Sequence, residues 1–155
     1  MKKLVAFACA ALLLAGCGSS TSEPKEVKKE SKTCSTTVSG MKADMKMNAE
    51  DDIIKTIDMT YIMPSTLLGQ DASKLSEDDM NTMADTMLTK LGAAEGEGIT
   101  VKATAVEKDL QIVLSIDLAK ADASVLKALS FEGNAKNIKL SDSVKDAEKG
   151  GMTCK

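Results

Sequence analysis

Residues 99–118 read ITVKATAVEKDLQIVLSIDL, and apolar side chains stand at every second position in both halves of this stretch. Because successive side chains of a strand point to opposite faces, this period of two is typical of strands with one buried face. The charged run Glu107-Lys108-Asp109 separates the two halves and suits a turn. The stretch therefore predicts a β-hairpin with buried positions at Ile99, Val101, Ala103, Ala105, Leu110, Ile112, Leu114, Ile116 and Leu118.

Three further strands are predicted before the hairpin. Residues 34–38 form a short β-prone segment that a Ser39-Gly40 turn signal follows. Residues 42–49 alternate strictly, and residues 57–63 alternate up to Pro64. Proline cannot donate to a ladder, so we expect the third strand to end there. The three segments predict an antiparallel meander with one buried face.

The best-specified helix covers residues 76–91. Ser76-Glu77-Asp78-Asp79 has the form of a capping box with acidic residues in the first turn, and Gly92 stands just past the end. Apolar residues follow at helical spacing, namely Met80, Met83, Ala84, Met87, Leu88 and Leu91. A turn of helix is predicted around residues 67–68, and two short helices over residues 122–129 and 141–150.

The predicted order of elements is β-β-β-α-β-β-α-α. Met152-Thr153-Cys154 is expected to close the chain against the first strand. We therefore predict the α+β fold class, with a single antiparallel sheet and helices packed on one face, over residues 33–155. A domain of this size buries about two thirds of the surface of its unfolded chain.

The N-terminal segment has the form of a secretory signal peptide. Lys2 and Lys3 precede an uncharged, small and aliphatic run over residues 4–14, which leads to Leu14-Ala15-Gly16-Cys17. These last four residues resemble the lipobox of bacterial lipoproteins, in which the cysteine is lipidated and the chain is cut before it. We expect removal of residues 1–16, followed by a lipidated Cys17 and a flexible tether over residues 17–32.

The N-terminal segment has two alternative interpretations. Eleven residues make about 16 Å of helix, roughly half the hydrocarbon thickness of a bilayer, so a permanent transmembrane span is excluded on length. In the other alternative, Cys17 merely follows the cut in a secreted protein. Under the favoured interpretation, the lipid on Cys17 holds the protein at the extracytoplasmic face of the cell membrane.

The composition excludes several kinds of chemistry. The chain contains no His and no Arg, so it has no Ser-His-Asp triad, no imidazole metal ligand and no bidentate Arg clamp. Without Lys2 and Lys3 the net charge falls from −3 to −5, which argues against nucleic acid as a partner. Lysine as the sole basic residue type suggests an AT-rich genome and a Gram-positive cell surface. We expect no enzymatic activity, no catalytic residues and no cofactor.

The cysteines that remain after processing are Cys34 and Cys154, one at each edge of the predicted domain. An extracytoplasmic location permits a disulfide, and a structural bridge is the favoured interpretation. A free thiol pair and a redox-active pair are the alternatives, although active dithiols usually stand close together as C-x-x-C.

The chain as a whole resembles the YehR-like family of small bacterial lipoproteins. The resemblance rests on the lipobox, the charged tether, the three-strand opening, the acid-led helix, the hairpin and the tail KNIKLSDSVKDAEKGGMTCK, in which residues 146–150 read DAEKG. It implies an α+β domain of unknown function and no catalytic or ligand residues. It also implies that the Cys34/Cys154 pair is a feature of the Gram-positive members and not a requirement of the fold.

The methionines are the one set of residues in the sequence that suggests a specific ligand. Nine of the ten Met lie in the predicted mature chain, and thioethers suit Cu(I). The favoured interpretation is core packing, because these residues all fall on predicted apolar faces, where Met fills gaps. The candidate copper ligands are Met45, Met47, Met80, Met83 and Met87.

The predicted fold offers two other candidate binding sites. A helix laid on an open sheet could part from it and admit an acyl chain or a peptide between them. Ordinary close packing of the helix on the sheet is the favoured interpretation. The acids of residues 76–79 could be taken for a cation site, although helix starts favour acids in any case. We expect a membrane-anchored, non-enzymatic binding or interaction module. Its partner is an unknown envelope protein or a small apolar ligand.

Overall fold

A computed structural model of the protein describes residues 26–90, 92, 96, 98–128 and 137–155. The predicted signal peptide, Cys17 and most of the predicted tether lie outside these residues. The strands are β1 (Lys29–Val38), β2 (Met41–Glu50), β3 (Ile53–Met63), β4 (Ile99–Val106), β5 (Asp109–Asp117) and β6 (Thr153–Cys154). The helices are α1 (Ser65–Leu68), a 3₁₀ turn (Ala72–Lys74), α2 (Glu77–Lys90), α3 (Ala123–Ala128) and α4 (Leu140–Lys149).

The six strands form one antiparallel sheet in the order β4-β5-β3-β2-β1-β6. The buried side chains of α2, α3 and α4 pack with buried side chains from one face of this sheet. The predicted α+β class, with a single antiparallel sheet and helices on one face, is therefore confirmed. None of the helices in the described residues has the length and apolar character needed to cross a bilayer.

The hairpin forms as predicted. β4 and β5 pair from Ile99↔Ile116 to Val106↔Asp109, so Glu107 and Lys108 make the turn. Glu107 adopts a positive φ of 56° there. In β5 every second residue is fully buried, which is the pattern expected of a strand with one face on the core.

Strand β1 begins earlier than predicted. The expected boundary between tether and domain lay at residue 33, whereas β1 starts at Lys29 and pairs with β2 from Lys29↔Glu50 onward. The composition of these residues is polar, but β2 supplies backbone partners along the whole length. The side chain of Ser31 also donates to Asn48 Oδ1 at 3.0 Å. The last four residues of the predicted tether therefore belong to the sheet.

The chain enters the sheet beside the turn between β2 and β3. The backbone N–H of Lys28 donates to Asp51 Oδ1 at 3.0 Å, and the N–H of Asp51 donates to the carbonyl oxygen of Lys28 at 2.9 Å. The next residue of this turn, Asp52, accepts from the backbone N–H of Ser141 at 2.9 Å and from its hydroxyl at 2.8 Å. These hydrogen bonds hold the pKa of Asp52 below its ordinary value and fix the first turn of α4.

A bulge in β3 changes which residues of this strand face the core. Ala49 pairs with Ile54 and Asn48 with Thr56, so Lys55 is the extra residue and is exposed. Because of this insertion, Ile54 and Ile57 are both buried although they stand three positions apart.

Helix α2 matches its predicted span closely. The hydroxyl of Ser76 accepts from the backbone N–H of Asp79 at 3.1 Å, and Asp79 Oδ2 accepts from the backbone N–H of Ser76 at 3.3 Å. This reciprocal pair is the predicted capping box. The short helices also form where predicted, as α1, α3 and α4. Residue 129, the predicted end of the third helix, lies outside the described residues.

The interior contains two clusters of buried side chains. The first, which we call the main cluster, includes Cys34, Met47, Ile57 and Leu114, and α3 and α4 each contribute one leucine to it. The second, which we call the α2 cluster, consists of Ala72, Ala84, Ala103, Leu110 and Ile112. The main cluster is closed at one edge by a disulfide between Cys34 and Cys154, where β6 pairs with β1 as predicted.

A methionine-lined candidate binding groove

A groove opens between α2 and the end of the sheet where β3 ends and β5 begins. Met63 pairs with Leu110 at this end, and Lys42 pairs with Ile62 so that Met41 comes opposite Met63. Helix α1 follows Pro64 directly and forms a further wall. The residues that line the groove are Met41, Tyr61, Met63, Leu67, Leu68, Thr82, Met83, Thr86, Met87, Lys90 and Ile112.

The groove has a volume of about 450 Å³. Pockets that bind small molecules range from about 300 to 1,000 Å³ and are mostly apolar. Four methionines, two leucines and one isoleucine make up most of this lining. Leu67, at the rim, keeps 52% of its surface exposed. The size and lining therefore suit a small apolar ligand.

The hydroxyl groups in the groove wall already have partners. Thr82 donates to the carbonyl oxygen of Asp78 at 2.8 Å, and Thr86 donates to that of Thr82 at 2.7 Å. The hydroxyl of Tyr61 donates to the sulfur of Met59 at 3.7 Å, and burial raises the pKa of Tyr61. Since these groups are turned to internal partners, they offer little hydrogen bonding to a ligand.

Lys90 is the one charged side chain in the lining. It is exposed and stands in the last turn of α2. None of the ion pairs found within the described part of the chain includes Lys90. The ammonium group is thus available at the edge of an otherwise neutral groove.

The five methionines proposed as copper ligands divide between the two clusters. Met47 is fully buried in the main cluster, and Met45 packs against it. Met80, Met83 and Met87 pack against the α2 cluster. The structure therefore does not bring the strand pair and the helix set together in one cluster, and only Met83 and Met87 of the five line the groove.

Sequence reasoning missed Met41, Met63 and Lys90 as members of one site. Met41 and Met63 are 22 positions apart and come together only through the register of β2 and β3. Lys90 lies one turn beyond Thr86 on α2, and the i, i+4 spacing along that helix was the one available signal.

The other predicted site residues have separate places. Cys34 and Cys154 form the disulfide described above, and Cys17 lies outside the described residues. The acids of residues 76–79 serve the capping box of α2 through Asp79. Within the described residues, no group of three or more His, Cys, Asp or Glu side chains is placed to hold a metal ion.

Comparison with known proteins supports the fold. The chain is similar to the NMR structure of the E. coli YehR protein, with 20% identity and a TM-score of 0.61 over 84% of this chain and 93% of that one. It is also similar to the NMR structure of a protein from Streptococcus pneumoniae TIGR4, with 14% identity and a TM-score of 0.53 over 97% of this chain and 99% of that one. No family model matches the chain. No curated protein matches it either. The chain therefore has a YehR-like fold.

Proposed function

We propose that this protein is a lipid-anchored, non-enzymatic member of the YehR-like lipoproteins that binds an apolar ligand at the cell envelope. The observation that carries the binding role is the groove between α2 and the sheet, with a volume of about 450 Å³ and a lining rich in methionine. Its ligand would be an acyl chain or an apolar peptide segment.

Methionine suits such a role because its side chain is flexible and polarizable. Met63, Met83 and Met87 are only partly buried, so they can change rotamer without opening the fully buried clusters. Surfaces rich in Met re-pack around ligands of different shape. The lining supports binding of apolar groups more than acid or base chemistry, since its threonine hydroxyls are engaged within α2.

Exposed apolar residues near the groove favour an interaction role at the same end of the sheet. Val38 and Leu67 keep 56% and 52% of their surface exposed. Val38 ends β1 and Leu67 lies in α1, both at the end where the groove opens. An apolar segment of an envelope protein would find additional contacts there.

A Cu(I) role has less support from this geometry. Thioether ligands must all bond to the same copper ion, so their sulfur atoms must converge on one point. The four groove methionines instead wall a space of about 450 Å³, which leaves room for a ligand of many atoms.

A bulky substitution at an exposed residue of the groove wall tests whether the groove binds apolar ligands. Thr86→Phe places an aromatic ring in the groove wall, and we expect binding of the neutral apolar dye N-phenyl-1-naphthylamine to weaken about tenfold or more, equivalent to about 1.4 kcal/mol. Thr89→Phe is the matched control, because Thr89 is also an exposed residue of α2 but does not line the groove. Dye fluorescence titration measures both, and equal affinities for the two variants and the wild type would refute the groove as a site.

The lipid anchor is proposed from the sequence around Cys17. We expect the wild-type protein to partition into the detergent phase of Triton X-114 and Cys17→Ala to appear in the aqueous phase, because two acyl chains anchor a protein stably. Intact mass spectrometry of the wild type should show the mass of the lipid on a chain that begins at residue 17. An unmodified wild-type mass would contradict anchoring and leave the groove proposal standing.

A further inference from the structure

We infer that the ligand of the groove is an amphiphile with one apolar chain and an anionic head group, which Lys90 binds. This inference rests on the proposed binding function and specifies its ligand class. The chemistry is that of a fatty acid, in which a carboxylate follows a single alkyl chain.

The position of Lys90 gives the groove a polar end. Thr82, Thr86 and Lys90 follow one another at i, i+4 and i+8, so they lie along one line on α2. Eight residues of helix cover about 12 Å. The ammonium group therefore stands at the end of a wall whose other polar side chains, Thr82 and Thr86, are bonded to the helix backbone.

The rest of the lining excludes a second charge on the ligand. Apart from Lys90, the groove presents thioether, aliphatic and aromatic groups and the two engaged hydroxyls. A charged group buried among them would lose its hydration without a partner, which is strongly unfavourable. An anion at Lys90 has a partner and keeps access to water, because Lys90 is exposed.

The attraction of the groove for an anion is confined to the surroundings of Lys90, because the protein as a whole is negatively charged. The chain is net −3, so its overall field repels anions. The acidic residues at the start of α2, Glu77, Asp78 and Asp79, are at the opposite end of the helix from Lys90. The head group of an anionic ligand is therefore directed to the Lys90 end, and its chain runs along the groove.

The volume fits one chain and not two. At about 30 Å³ for a group the size of a water molecule, the cavity of about 450 Å³ accommodates about 15 such groups. A single alkyl chain of medium to long length has this number of methylene groups. Two chains of that length would exceed it.

The test compares three ligands that share a twelve-carbon chain: dodecanoate, 1-dodecanol and dodecyltrimethylammonium. The two ions are used below their critical micelle concentrations and the alcohol below its solubility limit. Tyr61 is the one tyrosine of a chain without tryptophan, and it lines the groove, so intrinsic fluorescence reports from this site. We expect dodecanoate to bind up to about fivefold more tightly than dodecanol, as for a partly exposed ion pair, and the cation to bind least tightly.

Lys90→Gln should remove the advantage of dodecanoate and leave the affinity for dodecanol unchanged. Lys127→Gln is the matched control, because Lys127 is likewise an exposed lysine in the last turn of its helix, α3, and does not line the groove. It should behave as the wild type. High salt should reduce the advantage of dodecanoate in the wild type, because it screens the ion pair.

The possible results separate the two proposals. Equal affinity of the wild type for all three ligands, or an advantage of dodecanoate that survives in Lys90→Gln, would overturn the anionic head group and leave the apolar site standing. Failure of all three ligands to bind would overturn the proposed function itself, and this inference with it.

Discussion

Replacing both Cys34 and Cys154 with alanine is expected to lower the free energy of unfolding by about 3–5 kcal/mol. The disulfide joins residues 120 positions apart, so it restricts nearly the whole folded chain in its unfolded state. In the chain-entropy model, a loop of about 100 residues corresponds to about 4.7 kcal/mol. Urea unfolding followed by far-UV circular dichroism measures the change.

The native structure gives a second reason for this loss. Strand β6 has two residues, and its ladder with β1 covers only Cys34↔Cys154 and Ser35↔Thr153. Two further backbone hydrogen bonds, at 3.1 and 2.9 Å, join Thr33 and Lys155. Without the covalent bond, so short a ladder should open readily, and we expect faster hydrogen exchange in β6 and α4.

Reduction of the wild type provides the control for this prediction. The reduced wild type should match the double variant in stability, because both open the same loop. The dependence of the unfolding free energy on urea should also steepen, since an unfolded chain without the cross-link exposes more surface. A reduced protein as stable as the oxidised one would contradict a structural role for the disulfide.

Gly98→Ala is expected to cost about 2–5 kcal/mol of stability, because it combines backbone strain with a steric clash. Gly98 has a φ of +81°, which L side chains rarely adopt. A Cβ atom there would lie 2.5 Å from the backbone nitrogen of Ala121 and 2.8 Å from the carbonyl carbon of Lys120. The carbonyl oxygen of Gly98 also accepts from the N–H of Asp117 at 2.7 Å, so the backbone has little freedom to move.

Gly69→Ala separates the strain from the clash. Gly69 has a φ of +79°, close to that of Gly98, but nothing lies within 4 Å of the position of its Cβ. Its substitution should therefore cost only the conformational term of about 1–2 kcal/mol. Thermal unfolding of both variants measures the difference, and equal losses would show that the contact with residues 120 and 121 is not restrictive.

The hairpin and α2 could be predicted from the sequence because their periods reflect burial on one side. In β5, Leu110, Ile112, Leu114 and Ile116 are all buried, and the residues between them are only partly buried. In α2 the buried residues Ala84 and Leu88 stand one turn apart, and the capping box gives the start. Patterns of this kind are local, so a single sequence contains them.

Other features of the fold depend on partners that a local pattern does not identify. Strand β3 pairs with β5 and not with β4, its successor in the chain, which places β4 at the edge of the sheet. The polar residues that begin β1 are ordered by β2, and the bulge at Lys55 is visible only in the register with β2. For this reason β1 begins at Lys29, four residues before the boundary that the sequence predicts.

An apolar site between helix and sheet was one hypothesis from the sequence, beside which ordinary close packing was the favoured interpretation. Met83 and Met87 were identified as part of one helix face, but most of the other residues that line the groove were not predicted as members of a site. Met41 and Met63 come to the site through strand pairing, and Leu67 through the turn into α1. These contacts are non-local, and residue spacing along one element cannot specify them.

The groove and the entry of the chain lie at opposite ends of the sheet, and this separation bears on how a ligand can reach the groove. Lys28 is fixed to the turn at Asp51, whereas the groove lies at the other end of the sheet, beyond Val38. The nine steps from Lys29 to Val38 span about 30 Å. If the N-terminal segment is attached to a bilayer, this length of sheet adds to the reach of the tether, and the groove can stand well clear of the lipid surface. A ligand could then enter it from the aqueous medium outside the cell.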